Sequence, residues 1–214
     1  MSDPEIRLLE RRVTDGDDLA RVSLLRARVR VGLVAQPRLH AAAWLGDPVA
    51  RQAGGETERA TGWKWQTRLE RAVALLPERA LVEVACRWAE RVLPLWASRS
   101  SDRLPHAAVA AARAWLALPA DAPPWRRVDL ALEARKAGNA AYYDGDCRGV
   151  AVDYRRRMPY GFSLQASYAA WTLPRQDNDR DWVLKNFFQA ASLEPRANVR
   201  ASVVHALLTP EDPT

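Results

Sequence analysis

The sequence predicts an all-α protein, with antiparallel helix pairs arranged in a HEAT-like stack or an irregular helical bundle. Three observations carry this. Apolar residues recur at spacings of three and four from Ile6 almost to the C-terminus. Proline, glycine and aspartate cut that pattern at short intervals, and helix pairs with short loops pack as antiparallel neighbours. The one polar–apolar alternation, Arg28-Val29-Arg30-Val31 beside Gly32, spans four residues and admits at most a short strand.

Asp3-Pro4 supplies a helix cap followed by proline at the first helical position, and Ile6, Leu9 and Val13 follow on one face. Asp15-Gly16-Asp17-Asp18 closes that helix and caps the next, which carries Leu19, Val22, Leu25 and Val29. A third helix runs from Pro37 to Gly46, and Asp47-Pro48 caps a brief fourth. The Gly/Thr/Glu-rich stretch 54–62 reads as a linker. It separates an N-terminal helical module, 1–53, from a main helical domain, 63–214.

That domain opens with a helix from Trp63 to Leu76, stopped by Pro77. From Glu78 onwards Leu81, Ala85, Trp88, Val92 and Leu95 form one stripe, with Arg79, Glu83, Arg87 and Glu90 opposite. Pro94 is expected to kink or end this helix near Leu93. After a Ser-rich turn, Leu104, Ala108, Ala111, Trp115 and Leu118 mark the next. Further helices are expected over Trp125–Tyr143, Val150–Arg157, Phe162–Leu173, Trp182–Leu193 and Arg196–Leu208.

Composition narrows the function classes. Of 214 residues 48% are apolar and 27% charged, the balance of a globular chain and not of a disordered one. No apolar run reaches the roughly 20 residues of a membrane span, and the polar start Met1-Ser2-Asp3-Pro4-Glu5 has no leader character, so a cytoplasmic protein is expected. Two distant cysteines, Cys86 and Cys147, suit a reducing compartment, with Cys86 on the apolar side of its helix. The net charge of +6 is carried by arginine, lysine appearing only as Lys64, Lys136 and Lys185. Much of it alternates with Glu and Asp along helices, as an ion-paired, solvated face does.

Motifs for catalysis are incomplete. Gly161-Phe162-Ser163-Leu164-Gln165 lacks the second glycine and the preceding strand of a nucleophile elbow. Asp146-Cys147-Arg148-Gly149, with His106 upstream, resembles part of a cysteine-protease signature without the sheet that builds its oxyanion hole. Asp144, Asp146 and Asp153 lack the ligand alternation of a calcium loop, and His40, His106 and His205 stand on separate helices with no zinc spacing. No catalytic residue, metal or cofactor is therefore expected. The densest basic cluster is Arg155, Arg156 and Arg157, with Tyr143, Tyr154 and Tyr160 around it. Arginine and aromatic side chains of this kind anchor interfaces or hold phosphates, so these six residues are the candidate partner-binding surface.

Two stretches resemble known families. Leu39-His40-Ala41-Ala42-Ala43-Trp44-Leu45-Gly46-Asp47-Pro48-Val49-Ala50-Arg51 resembles the end of the opening module of Ala/Arg-rich helical proteins of myxobacteria and planctomycetes, with Trp44 where tyrosine is usual. Ala80 to Leu118 resembles immunity proteins of polymorphic toxin systems, on Val84-Ala85-Cys86-Arg87-Trp88-Ala89-Glu90-Arg91-Val92-Leu93-Pro94-Leu95-Trp96 and Ala108-Val109-Ala110-Ala111-Ala112-Arg113-Ala114-Trp115-Leu116. Ala134-Arg135-Lys136-Ala137-Gly138-Asn139-Ala140-Ala141 echoes the same group. Ala97 departs from its usual acidic residue, and Ser101-Asp102-Arg103-Leu104-Pro105 replaces its usual Gly-Asp turn. The resemblance implies a non-catalytic protein that occludes a toxin, and a basic inhibitor suits a toxin with an acidic site. A nucleic-acid-associated helical protein and a scaffold or regulatory module are the alternatives.

Overall fold

The structure, a computed structural model, describes residues 3–55, 62–97, 103–119, 121–143, 166, 168–174 and 180–210. Every regular element among them is a helix. The order is α1 (Asp3–Thr14), α2 (Asp18–Arg30), α3 (Gln36–Trp44), α4 (Pro48–Gln52), α5 (Trp65–Val73), α6 (Glu78–Ala97), α7 (Leu104–Leu116) and α8 (Pro124–Tyr143). A short helical stretch at residues 168–171, here α9, precedes α10 (Arg180–Ser192) and α11 (Arg196–Leu208). The expected helix over Val150–Arg157 lies outside the described residues. So do residues 56–61 of the expected linker.

Capping chemistry explains the boundaries. The Asp17 carboxylate accepts from Ala20 N–H at 2.9 Å and starts α2; Asp47 does the same for Ala50 at 2.7 Å and starts α4. The structure decides two points that the sequence left open. Arg28-Val29-Arg30 is the last turn of α2 and not a strand, because burial of Leu24, Leu25 and Ala27 holds the segment at helical period. The helix α6 runs through Pro94 to Ala97 instead of ending near Leu93. Proline there forfeits the bond to the carbonyl four residues back and crowds that carbonyl, and three residues of helix follow it.

The chain divides into two compact units, Met1–Leu76 with Ala197–Thr214, and Pro77–Arg196. This differs from a division at residues 54–62, since α5 and the C-terminal helix group with the N-terminal helices. In the first unit Ile6, Leu24 and Ala27 form a cluster ringed by Leu9, Val13 and Leu33. Ala41, Ala42, Ala50 and Ala72 are fully buried and, lacking bulk, let α3, α4 and α5 approach closely. The α11 helix adds Val199, Val203 and Leu207. One polar group enters this core. Arg38 is only 4% exposed, and its guanidinium donates to Ala206 O at 2.5 Å and Thr209 O at 3.1 Å, closing the C-terminal end of α11.

In the second unit α6 packs against α7 and α10, and α7 against α8. Leu81, Val82, Ala85, Trp88 and Ala89 are buried on α6, where Trp88 meets Phe187 of α10 with ring centroids 5.3 Å apart. The Arg79 guanidinium donates to Leu116 O and Leu118 O, so it closes the end of α7. Cys86 is fully buried, as its position on the apolar side of α6 predicts.

Candidate functional site

Of the six residues the sequence singles out, Tyr143 ends α8, while Tyr154, Arg155, Arg156, Arg157 and Tyr160 lie outside the described residues. So do Asp144, Asp146, Cys147, Asp153 and Ser163. His40 hydrogen-bonds within its own helix, to Gln36 at 3.3 Å. No group of metal-ligating side chains assembles among the described residues, and no described helix is long and apolar enough to cross a membrane.

The first unit nevertheless builds an arginine–tryptophan surface, and the local sequence shows how. The α3 helix ends at Trp44, where Leu45, Gly46 and Asp47 N–H groups bond back to carbonyls of its last turn. Gly46 takes a φ of +94°, the left-handed conformation that glycine adopts without strain. Asp47 then starts α4 at once. This stop and restart returns Arg51 to the turn, where its guanidinium donates to Gly46 O at 2.8 Å.

Trp63 enters beside it, just before α5. Its ring centroid lies 5.4 Å from that of Trp44 at an interplanar angle of 70°. Arg68 holds this pair in place, donating from Nε to Trp63 O at 3.0 Å and from Nη1 to Trp44 O at 3.5 Å. One turn on, the Arg71 guanidinium stacks over the Trp63 ring at 4.2 Å. A fourth arginine comes from α11. A Cβ added at Gly46 would stand 3.7 Å from Arg51 Nη2 and 3.9 Å from Arg200 Nη1, so both guanidiniums converge on that turn.

Four guanidiniums thus gather at the Trp44–Gly46 turn and the neighbouring Trp63, whose two indoles are half-buried. Among the described residues none of the four has a carboxylate within ion-pairing distance. Asp47 is occupied with its cap, and Glu70 accepts from Gln66 at 3.0 Å. Like charges held together without a counter-charge raise the local potential and attract an anionic group. Several other arginines of this chain are paired with carboxylates: Arg12 with Asp17, Arg28 with Glu10 and Arg91 with Glu194.

The second unit shows the contrasting case. Arg113 of α7 donates to Glu90 at 2.6 and 2.7 Å and to Glu83 at 2.5 Å, and Glu83 also accepts from Arg87 at 2.9 Å. Partial burial is the largest influence on the Glu83 carboxyl and raises its pKa. Hydrogen bonds from Arg113, then Arg87, outweigh it and leave the net value below the ordinary range. The same two glutamates hold the Arg113 pKa above its usual value. Cys86, one turn from both, is pushed up to about 12 by burial, so its sulfur stays a thiol near neutrality. The carboxylates are committed to Arg113, and the cluster ties α6 to α7.

The sequence does contain a signal for the arginine–tryptophan surface. Trp63-Lys64-Trp65 followed by Arg68 and Arg71 interleaves aromatic and basic residues. Trp44, Arg51 and above all Arg200 join it only through the fold. In comparisons with known proteins, no family model, no curated protein and no solved structure matches this chain.

Proposed function

We propose that this chain is a non-catalytic protein-binding protein whose arginine–tryptophan surface seats an acidic segment of its partner. The observation that carries this reading is the convergence of Arg51, Arg68, Arg71 and Arg200 on the Trp44–Gly46 turn and on Trp63, with no carboxylate within ion-pairing distance among the described residues. Arginine and tryptophan dominate the energetic centres of interfaces, because each combines contact area with fixed hydrogen-bonding geometry. Their bonds to Gly46 O, Trp63 O and Trp44 O hold Arg51 and Arg68 in place before a partner arrives, which lowers the entropy lost on binding.

The resemblance of Ala80–Leu118 to immunity proteins gives this reading its specific form: the partner is a toxin with an acidic site, neutralised by occlusion. Nucleic acid is the other anionic partner to weigh. Bases bind such surfaces by stacking on open aromatic faces. Arg71 covers one face of Trp63, and Trp44 packs against the same ring, which favours protein carboxylates over bases.

The test is recovery of the tagged chain from its native cells, with and without nuclease, at low salt and at about 0.5 M salt, where purely ionic contacts are largely screened. A stoichiometric protein partner that survives nuclease and salt, and is lost from an Arg51→Glu/Arg200→Glu variant, supports the reading. Recovery of nucleic acid alone, collapsing steeply with salt, overturns it.

A further inference from the structure

The α8 helix is built inside out. Its fully buried positions are Ala131, Ala134, Gly138 and Ala141, with Leu130 half-buried, while three of its large apolar residues point to solvent. Trp125 is 65% exposed, Val128 45% and Leu132 42%. Spacings of three and four place these side chains in one stripe, about 10 Å long at 1.5 Å per residue. An ordinary surface helix does the reverse, turning Leu and Trp inward and small or polar residues outward.

The charges beside the stripe show what fits it. Asp129 lies alongside Val128 and Leu132, and Glu133 follows one turn later on the same edge; both are exposed. Like charges four residues apart on a helix repel. Arg126 and Lys136 stand three residues before and after this pair, yet neither carboxylate has an ion-pair partner among the described residues.

We infer that the outer face of α8 is a second binding surface, which takes an amphipathic helix whose apolar stripe is bordered by lysine or arginine. A stripe one side chain wide, with anchors at i, i+3 and i+7, is the footprint of a helix laid alongside. Basic residues on its edge relieve the repulsion between Asp129 and Glu133 while leucines cover Trp125, Val128 and Leu132. A second copy of this chain fits less well. Stripe-on-stripe antiparallel pairing sets Asp129 beside its own counterpart, and three side chains fall far short of the roughly 800 Å² per partner of a stable dimer. The inference rests on α8 alone and is independent of the arginine–tryptophan surface. The two faces prefer ligands of opposite charge, so together they make the chain a bridge between an acidic partner and a basic helix.

Two synthetic helical peptides with the same leucine stripe, one flanked by lysine and one by glutamate, provide the probe. Each is titrated with the full chain and followed by fluorescence anisotropy. The lysine-flanked peptide is expected to bind at least about tenfold tighter, a difference of one decade in Kd, although the chain itself carries +6. Leu132→Asp should abolish its binding, and Asp129→Lys/Glu133→Lys should reverse the preference. These positions are exposed, and circular dichroism checks that each variant folds. Equal binding of the two peptides, binding of neither, or a preference unmoved by the charge reversal overturns the inference. Self-association that displaces the peptide and is lost in Leu132→Asp overturns it in favour of a second copy.

Discussion

Replacing Arg38 by methionine should release the C-terminal helix while leaving the rest of the first unit folded. The last carbonyls of an α-helix have no intrahelical donor, and they form the negative end of its dipole. For α11 two of these oxygens, on Ala206 and Thr209, are met by one guanidinium that is almost wholly buried. Methionine keeps an unbranched stem of comparable length and supplies no donor. Hydrogen bonds to a charged group contribute about 1.5–3 kcal/mol, and the Ala206 carbonyl, left buried without a donor, adds about 1–3 kcal/mol. The cost of desolvating the guanidinium is recovered in the variant and offsets part of this sum. A net loss of about 3 kcal/mol is expected, equivalent to roughly a hundredfold in the opening equilibrium of α11. Native-state hydrogen exchange reads it directly: amides of Val203, Ala206 and Leu207 should exchange roughly a hundredfold faster, and those of Val82 and Ala85 should not change. A loss below about 0.5 kcal/mol, the range of an ordinary surface substitution, would refute the idea that Arg38 holds this helix. Because Arg200 rides on α11, Arg38→Met should also weaken partner capture without touching the binding surface.

Three further outcomes are expected. Gly138→Ala should destabilise the second unit by about 1–3 kcal/mol in denaturant unfolding, because the new Cβ would sit 2.8 Å from Trp171 Nε1 and 3.2 Å from Ala170 Cβ. Helix propensity alone favours alanine by about 1 kcal/mol, so the sign decides whether close packing or propensity dominates. Arg113→Leu should cost about 1–2 kcal/mol, a figure reduced for the partial exposure of all three partners. The folded-state pKa of Glu83 is depressed, so its stabilisation is present above its unfolded value near 4.5 and is lost as pH falls through the folded value. Arg113→Leu should therefore flatten the acid limb of stability against pH, and an unchanged limb would remove Glu83 from that role. Cys86 should resist a maleimide at pH 8 in the native protein and react once denaturant opens the second unit.

Helical period made most of the architecture readable in the sequence. Caps such as Asp17 and Asp47 act on residues three positions away, so local sequence contains all the information their placement needs. The site was less legible because its parts meet through space. Arg200 lies about 150 residues from Arg51 in the chain, and nothing in the sequence around α11 distinguishes it from other helix-surface arginines. Arg38 is a similar case: an arginine among alanines reads as a surface residue, and only α11 packing across it makes it a cap. The run Arg79, Glu83, Arg87 and Glu90 reads as one solvated, ion-paired face. Only Glu83 and Arg87 pair with each other, while Arg79 and Glu90 reach across to α7. Sequence spacing shows which residues share a helix face and leaves open which neighbour covers that face. The same gap hid the inverted α8, where alanines face inward and Trp125 faces out.

The most direct test of the proposed function is a photo-crosslinking amino acid placed at position 64, exposed beside Trp63, of the tagged chain in its native cells. One protein adduct is expected, with an acidic segment at the crosslinked position, and it should disappear when Arg71 and Arg200 are both changed to glutamate. An adduct formed equally by the charge-reversed chain would contradict the arginine–tryptophan surface as the place where the partner binds.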